Sequence, residues 1–246
     1  MSKTWDKLSA QDRVIAVHVD FSNNKDFAGL SGVVYVGDVK FEKIGTAGTD
    51  GRDVYYDPEF VERLTRKQLR YLVAHEALHK ALMHCTNYKA LSEQYPQLCN
   101  MAMDYVVNAT IEEIDPNFQF VERVTNPDPL IDPKYQGWSF VEVLQDLLKN
   151  TKTIKIKIAG QPTDGDGSGE GQPLDQHMFG DAKEVGTKEA NELSRHIDDA
   201  VRQGKILADK LAGKGSRNSP LDRATQKRDT NWRVQMREWI TALCEG

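Results

Sequence analysis

The stretch that decides the fold is TRKQLRYLVAHEALHKALMHC, residues 65–85. It contains no Gly or Pro, and Thr65 stands at its start as a helix-capping residue. Apolar side chains recur at spacings of three and four residues, at Tyr71, Ala74, Leu78, Leu82 and Cys85. The pattern predicts one helix from the Thr65 cap to about Cys85, with one face in the core.

Within this helix lies the pattern His-Glu-x-x-His, formed by His75, Glu76 and His79. At about 100° per residue the two histidines stand about 40° apart and one turn apart, so both imidazoles can bind one tetrahedral zinc ion. Glu76 can then accept a proton from water that the metal has acidified. The alternative is a chance match on a solvated helix. The position within the helix, beside the apolar stripe, favours zinc-dependent hydrolysis.

A catalytic zinc ion commonly has a third protein ligand, and two residues are candidates. His84 would stand about 180° from His75 on an unbroken helix. The residues between His79 and His84 favour helix, so we expect His84 to be exposed or behind the ligands rather than on the metal. Asp104 is the favoured ligand because the next helix can return antiparallel and bring it over the metal. Asn108, one turn further on, suits an amide that orients a ligand histidine through its free ring nitrogen.

A donor for the developing oxyanion completes many hydrolytic sites. His177 is the predicted catalytic donor, since it follows an extended loop that can fold over the site; the alternative is a surface histidine. Tyr55 and Tyr56 are further candidates from a short strand ahead of the metal helix, where ordinary packing is an equal alternative.

The rest of the chain predicts an α+β fold. Periodicity and capping residues predict further helices at residues 8–19, 59–64, 98–114, 140–148, 187–211 and around Trp232. A β-hairpin is expected from 33–36 and 39–41, a loop at 46–52, and strands at 53–56 and 153–158. We expect a core at residues 1–125, an irregular region with a helix, a strand and a Gly/Asp-rich loop at 126–186, and a helical C-terminal region at 187–246.

Composition narrows the class of protein. The net charge is −5, and apolar runs are too short for a membrane span. The polar first residues do not resemble a signal peptide, and the three cysteines form no close pair, which indicates reduced thiols in a cytoplasmic protein. A basic stretch at 205–237 is a candidate surface for nucleic acid or an acidic protein partner, but its interspersed acids favour the alternative of an ordinary solvated helical region, and a nucleic-acid role is the weaker interpretation.

Several motifs together resemble a metallopeptidase family of bacteria and phages that often precedes a von Willebrand factor A-like domain. The resemblance rests on segments 48–51 and 54–61, on 73–79 and 102–108, and on 174–177 and 231–233. It implies a zincin-like fold, in which a small, partly antiparallel sheet packs on the active-site helix and a second ligand-bearing helix. It also implies His75 and His79 as metal ligands and Glu76 as catalytic acid/base, with Asp104 and Asn108 matching the second-helix motif.

Two functional classes follow. The first is a zinc peptidase of a bacterium or phage-infected host that cleaves a protein or peptide substrate. The second is a regulatory or scaffold protein that keeps the zincin core and cleaves nothing. Proteome-wide cleavage profiles of the wild type and a Glu76→Gln variant would separate them.

Overall fold

A computed structural model describes residues 4–150, 182, 186–213, 219–227 and 232–245. Ten α-helices are found among these residues, in the order α1 Ala10–Ser22, α2 Pro58–Arg63, α3 Arg66–Ala81, α4 His84–Asn87, α5 Lys89–Gln94, α6 Pro96–Ile114, α7 Phe140–Lys149, α8 Lys188–Ala212, α9 Pro220–Lys227 and α10 Trp232–Glu245. The strands are β1 Val39–Phe41, β2 Ala47–Thr49 and β3 Val54–Tyr56. The α+β prediction is therefore confirmed. His177, the predicted strand at 153–158 and the Gly/Asp-rich loop lie outside the described residues.

The sheet is small and mixed, with strand order β1-β3-β2. β1 pairs in parallel with β3, with Val39 opposite Val54, and β2 pairs with β3 in antiparallel fashion, with Ala47 opposite Tyr56. The expected hairpin is wrong, because residues Val33–Tyr35 form a 3₁₀ helix against α3 instead of pairing with β1. The expected loop at 46–52 is wrong in part, because β3 recruits Ala47–Thr49 as a third strand.

Side-chain caps fix where the main helices begin, as the sequence predicts. Thr65 and Gln68 form a reciprocal capping box at the start of α3, and Ser139 and Glu142 form another at the start of α7. These caps satisfy backbone N–H groups that have no partner within the helix.

Helix α3 ends earlier than predicted. α3 stops at Ala81, and Met83 adopts the left-handed conformation with φ 55° before α4 begins at His84. A left-handed backbone costs a non-glycine residue about 1–2 kcal/mol, so other contacts must offset it. Met83 is buried against Leu193 and Ile197 of α8, and this contact between distant parts of the chain has no local signal in the sequence.

A shared hydrophobic core joins the described helices. Buried members come from helices across the chain, including Val14, Leu72, Val107, Leu144, Leu221 and Met236. α8 crosses the 3₁₀ helix Ala28–Leu30 so closely that a Cβ at Gly204 would overlap the carbonyl oxygen of Gly29. The division of the chain at residues 125 and 186 stays a prediction. In the described ranges, none of the helices has the length and apolar character needed to span a bilayer.

Candidate metal centre

Three potential ligand atoms converge between α3 and α6. Nε2 of His75 and Nε2 of His79 lie 3.1 Å apart, and Oδ1 of Asp104 lies 3.8 Å from the first and 3.7 Å from the second. All three side chains are fully buried, and their ligand atoms lie within 4.8 Å of one another. The structure thus brings Asp104, and not His84, to the two Nε2 atoms.

The spacing of these atoms fits a tetrahedral zinc ion. Bonds of about 2.0–2.1 Å place neighbouring ligand atoms about 3.3–3.4 Å apart. The observed separations of 3.1, 3.7 and 3.8 Å bracket this value. A set of two imidazoles and one carboxylate also matches the protein ligands of catalytic zinc sites. The residues present therefore fit a bound metal ion.

Asn108 determines which ring nitrogen of His75 is available. The amide nitrogen of Asn108 donates to the carbonyl oxygen of Leu130 at 3.0 Å, and its Oδ1 accepts from the Tyr71 hydroxyl at 3.2 Å. The same Oδ1 lies 2.9 Å from Nδ1 of His75. Because this oxygen can only accept, a neutral His75 ring carries its proton on Nδ1 and presents an unprotonated Nε2 to the cluster. The contact predicted between Asn108 and a ligand histidine is present.

The helix-breaking turn at Met83 brings His84 behind His79. Nδ1 of His84 lies 3.0 Å from Nδ1 of His79, the nitrogen that faces away from the cluster, and the two rings meet edge to face at 72°. His84 is 2% exposed. His84 is therefore buried behind His79, and the alternative of an exposed residue is wrong because the chain turns inward after Ala81.

Glu76 is buried on α3, one helical turn before Lys80. Its side chain is 1% exposed and lines a narrow recess together with His18, Tyr56 and Lys80. Burial, reinforced by the negative charge of Glu76, holds the pKa of Tyr56 well above its ordinary value, so the phenol stays protonated. Tyr56 is therefore a neutral hydrogen-bond donor close to Glu76.

Lys80 is the other charged side chain in this recess. Its Nζ donates to the carbonyl oxygen of Val36 at 2.8 Å, and its side chain is almost fully buried. Burial lowers the pKa of Lys80 to about 8, while the charges of Glu76, Asp53 and Asp50 act in the opposite direction. Tyr55 faces elsewhere, since its hydroxyl accepts from Lys40 at 2.9 Å.

Four residues at or near the site were not predicted as site residues from the sequence. Tyr71 lies one turn before His75 on the same helix face, so its spacing offered a signal. His18 and Lys80 offered none, because a charged or titratable residue within an amphipathic pattern is ordinarily solvated. Leu130 contributes only its backbone oxygen, which the sequence does not mark.

The geometry defines a candidate metal centre of the His-Glu-x-x-His class, with a third potential ligand on a second helix. Residues 27–245 match the family model described as "Putative metallopeptidase domain", and the chain belongs to this family. The resemblance seen in the sequence is thereby confirmed. No curated protein matches the chain, and no solved structure matches it.

Proposed function

We propose that this protein is a zinc-dependent metallopeptidase that hydrolyses peptide bonds. His75, His79 and Asp104 are the proposed metal ligands, and Glu76 is the proposed general base. The observation that carries the proposal is the buried convergence of the two Nε2 atoms and the Asp104 carboxylate, with the far nitrogen of His75 already engaged by Asn108. Membership of the family supports the peptidase activity.

A zincin-like arrangement is part of the same proposal. Such a fold presents its metal-binding helix beside a small sheet and a second helix that supplies a further ligand. α3 contacts both β2 and α6, which agrees with this arrangement. Asp104 and Asn108 lie one turn apart on the face of α6 toward α3, so one helix supplies both the carboxylate ligand and the amide that orients His75.

The chemistry divides between the metal and the protein. A zinc ion held by these residues supplies a water of lowered pKa and polarises the scissile carbonyl. The Glu76 carboxylate takes the proton of the attacking water as the carbon–oxygen bond forms, and delivers it to the amine nitrogen as the carbon–nitrogen bond breaks. Tyr56, neutral and close to Glu76, is a proposed donor to the oxyanion, and His177 remains the donor proposed from the sequence.

The test compares the wild type with Glu76→Gln. We expect the variant to bind zinc with wild-type affinity and to lose peptide cleavage by at least about 100-fold, since general-base catalysis contributes that much. Glu93→Gln is the matched control, because Glu93 is exposed on α5. Cleavage is read as new peptide termini in a host-cell proteome exposed to each protein. Identical profiles for wild type and Glu76→Gln would refute the peptidase and favour the scaffold.

A further inference from the structure

His84 lies directly behind His79, one of the proposed metal ligands. One side of its ring faces His79, with the two Nδ1 atoms 3.0 Å apart. His84 also lines a small pocket whose wall includes Tyr88, Trp138 and Phe140. His84 thus contacts both His79 and this pocket.

The chain turn is what directs His84 to this place. On an uninterrupted helix the side chain would point about 140° away from His79. The left-handed backbone at Met83, with φ 55°, redirects the chain so that the rings meet. Because Met83 is held by Leu193 and Ile197, the packing of α8 contributes to the position of His84.

At 3.0 Å the two facing Nδ1 atoms can form one hydrogen bond, and which of them donates decides whether His79 can bind a metal through Nε2. If His84 donates, neutral His79 carries its own proton on Nε2, the atom that faces His75 and Asp104, and cannot be a ligand there. If His79 donates, its Nε2 presents a lone pair to the cluster, and His84 carries its own proton on Nε2. Only the second arrangement is compatible with a metal bound at Nε2.

We propose that His84 is a positioning residue, which accepts the Nδ1 proton of His79 and so fixes the metal-binding tautomer and orientation of that ring. The proposal rests on the proposed metal centre. It assigns to His84 the part that Asn108 plays toward His75, so each ligand histidine has one acceptor behind it. Partners of this kind raise metal affinity by about 10- to 100-fold.

A competing explanation is that His84 only fills space. Its ring lies 6.0 Å from that of Tyr88 and 6.2 Å from that of Phe140, so it belongs to an aromatic group as well. A phenylalanine would preserve these contacts and remove the acceptor. An asparagine would sacrifice the ring and restore an acceptor oxygen close to the position of Nδ1. The two variants therefore separate hydrogen bonding from packing.

The experiment measures zinc affinity by competition with a chromophoric chelator in wild type, His84→Phe, His84→Asn and the control His196→Phe. His196 is exposed on α8. We expect His84→Phe to bind zinc about 10- to 100-fold more weakly, and His84→Asn to recover most of that loss. We expect His196→Phe to match the wild type. Circular dichroism checks that each variant is folded.

Equal affinity of His84→Phe and wild type would overturn the proposal, and so would an equal loss in His84→Phe and His84→Asn. A wild type that binds no zinc would instead contradict the proposed function itself. If His84→Phe fails to fold, nitrogen-15 NMR of the zinc-loaded wild type still decides. His84 protonated on Nε2 supports the proposal, and His84 protonated on Nδ1 refutes it.

Discussion

Nδ1 of His75 on α3 lies 2.9 Å from Oδ1 of Asn108 on α6. The bond couples the orientation of a proposed metal ligand to the packing of the two helices that form the site. Asn108 is itself held by Tyr71 and by the carbonyl oxygen of Leu130, so its amide cannot rotate without breaking further bonds. The ring of His75 is therefore oriented before any metal arrives, which lowers the entropic cost of binding.

The first prediction concerns Asn108→Ala. Removing the acceptor leaves the ring of His75 without its partner, so zinc affinity should fall by about 10- to 100-fold. Asn108→Asp keeps an acceptor and should lose less. Gln97→Ala, at an exposed position at the start of the same helix, is the control. Chelator competition gives the dissociation constants, and an unchanged constant for Asn108→Ala would argue against this role.

The second prediction tests whether the Asp104 carboxylate binds the metal ion or has only a structural role. Zinc at about a thousandfold excess over its dissociation constant should stabilise the wild type by about 4 kcal/mol. Asp104→Ala should show little of this stabilisation, because a proposed ligand is gone. Thermal unfolding with and without zinc measures the difference. Equal stabilisation in both proteins would remove Asp104 from the ligand set.

The third prediction concerns stability in mild acid. Burial, with the nearby charge of Lys80, lowers the pKa of His18 from 6.5 to about 4. The unfolded chain therefore binds a proton near pH 6.5 that the folded chain binds only near pH 4, so the free energy of unfolding falls as the pH drops through this window. At 1.36 kcal/mol per unit the loss due to His18 is about 3 kcal/mol.

His18→Phe isolates this contribution, because it keeps a ring against Tyr35 and removes the titration. Urea unfolding of metal-free protein at pH 4 and pH 6.5 should show a smaller loss of stability in the variant than in the wild type. Parallel losses would show that His18 is not held neutral by the fold.

The fourth prediction reverses an ordinary rule about helices. A Gly→Ala substitution within a helix usually stabilises a protein by about 0.5–1 kcal/mol. Gly204→Ala should instead destabilise this one by about 1–3 kcal/mol, because the new methyl group overlaps the backbone of Gly29 and forces α8 outward. Gln203→Ala, exposed on the same helix, is the control. Urea midpoints decide, and a stabilised Gly204→Ala would mean that α8 does not pack as closely as described.

The sequence predicts those features that depend on local pattern. Apolar periodicity and capping residues locate α1, α3, α6, α7 and α8, because a helix needs only its own residues to show which face is buried. The spacing of Asp104 and Asn108 on the second helix likewise anticipated the contact with His75. These features are encoded within one or two turns of helix.

Features that depend on contacts between residues far apart in the sequence could not be predicted from local patterns. The residues from Lys80 to Met83 favour helix, yet α3 ends at Ala81 and Met83 takes a left-handed conformation in which it packs against α8. Val33–Tyr35 are β-branched and aromatic, yet packing on α3 makes them a 3₁₀ helix, and β1 finds its partner in β3. The inward position of His84 follows from the first of these, so it could not be predicted from spacing alone.

The most direct test of the account is the metal content and coordination of the purified protein. Elemental analysis with X-ray absorption at the zinc edge should find about one zinc ion per chain, bound by two imidazoles and carboxylate or water oxygen. The His75→Ala/His79→Ala double variant should contain none. Full retention of metal in the double variant, or a wild type that binds no zinc when it is supplied, would contradict the account.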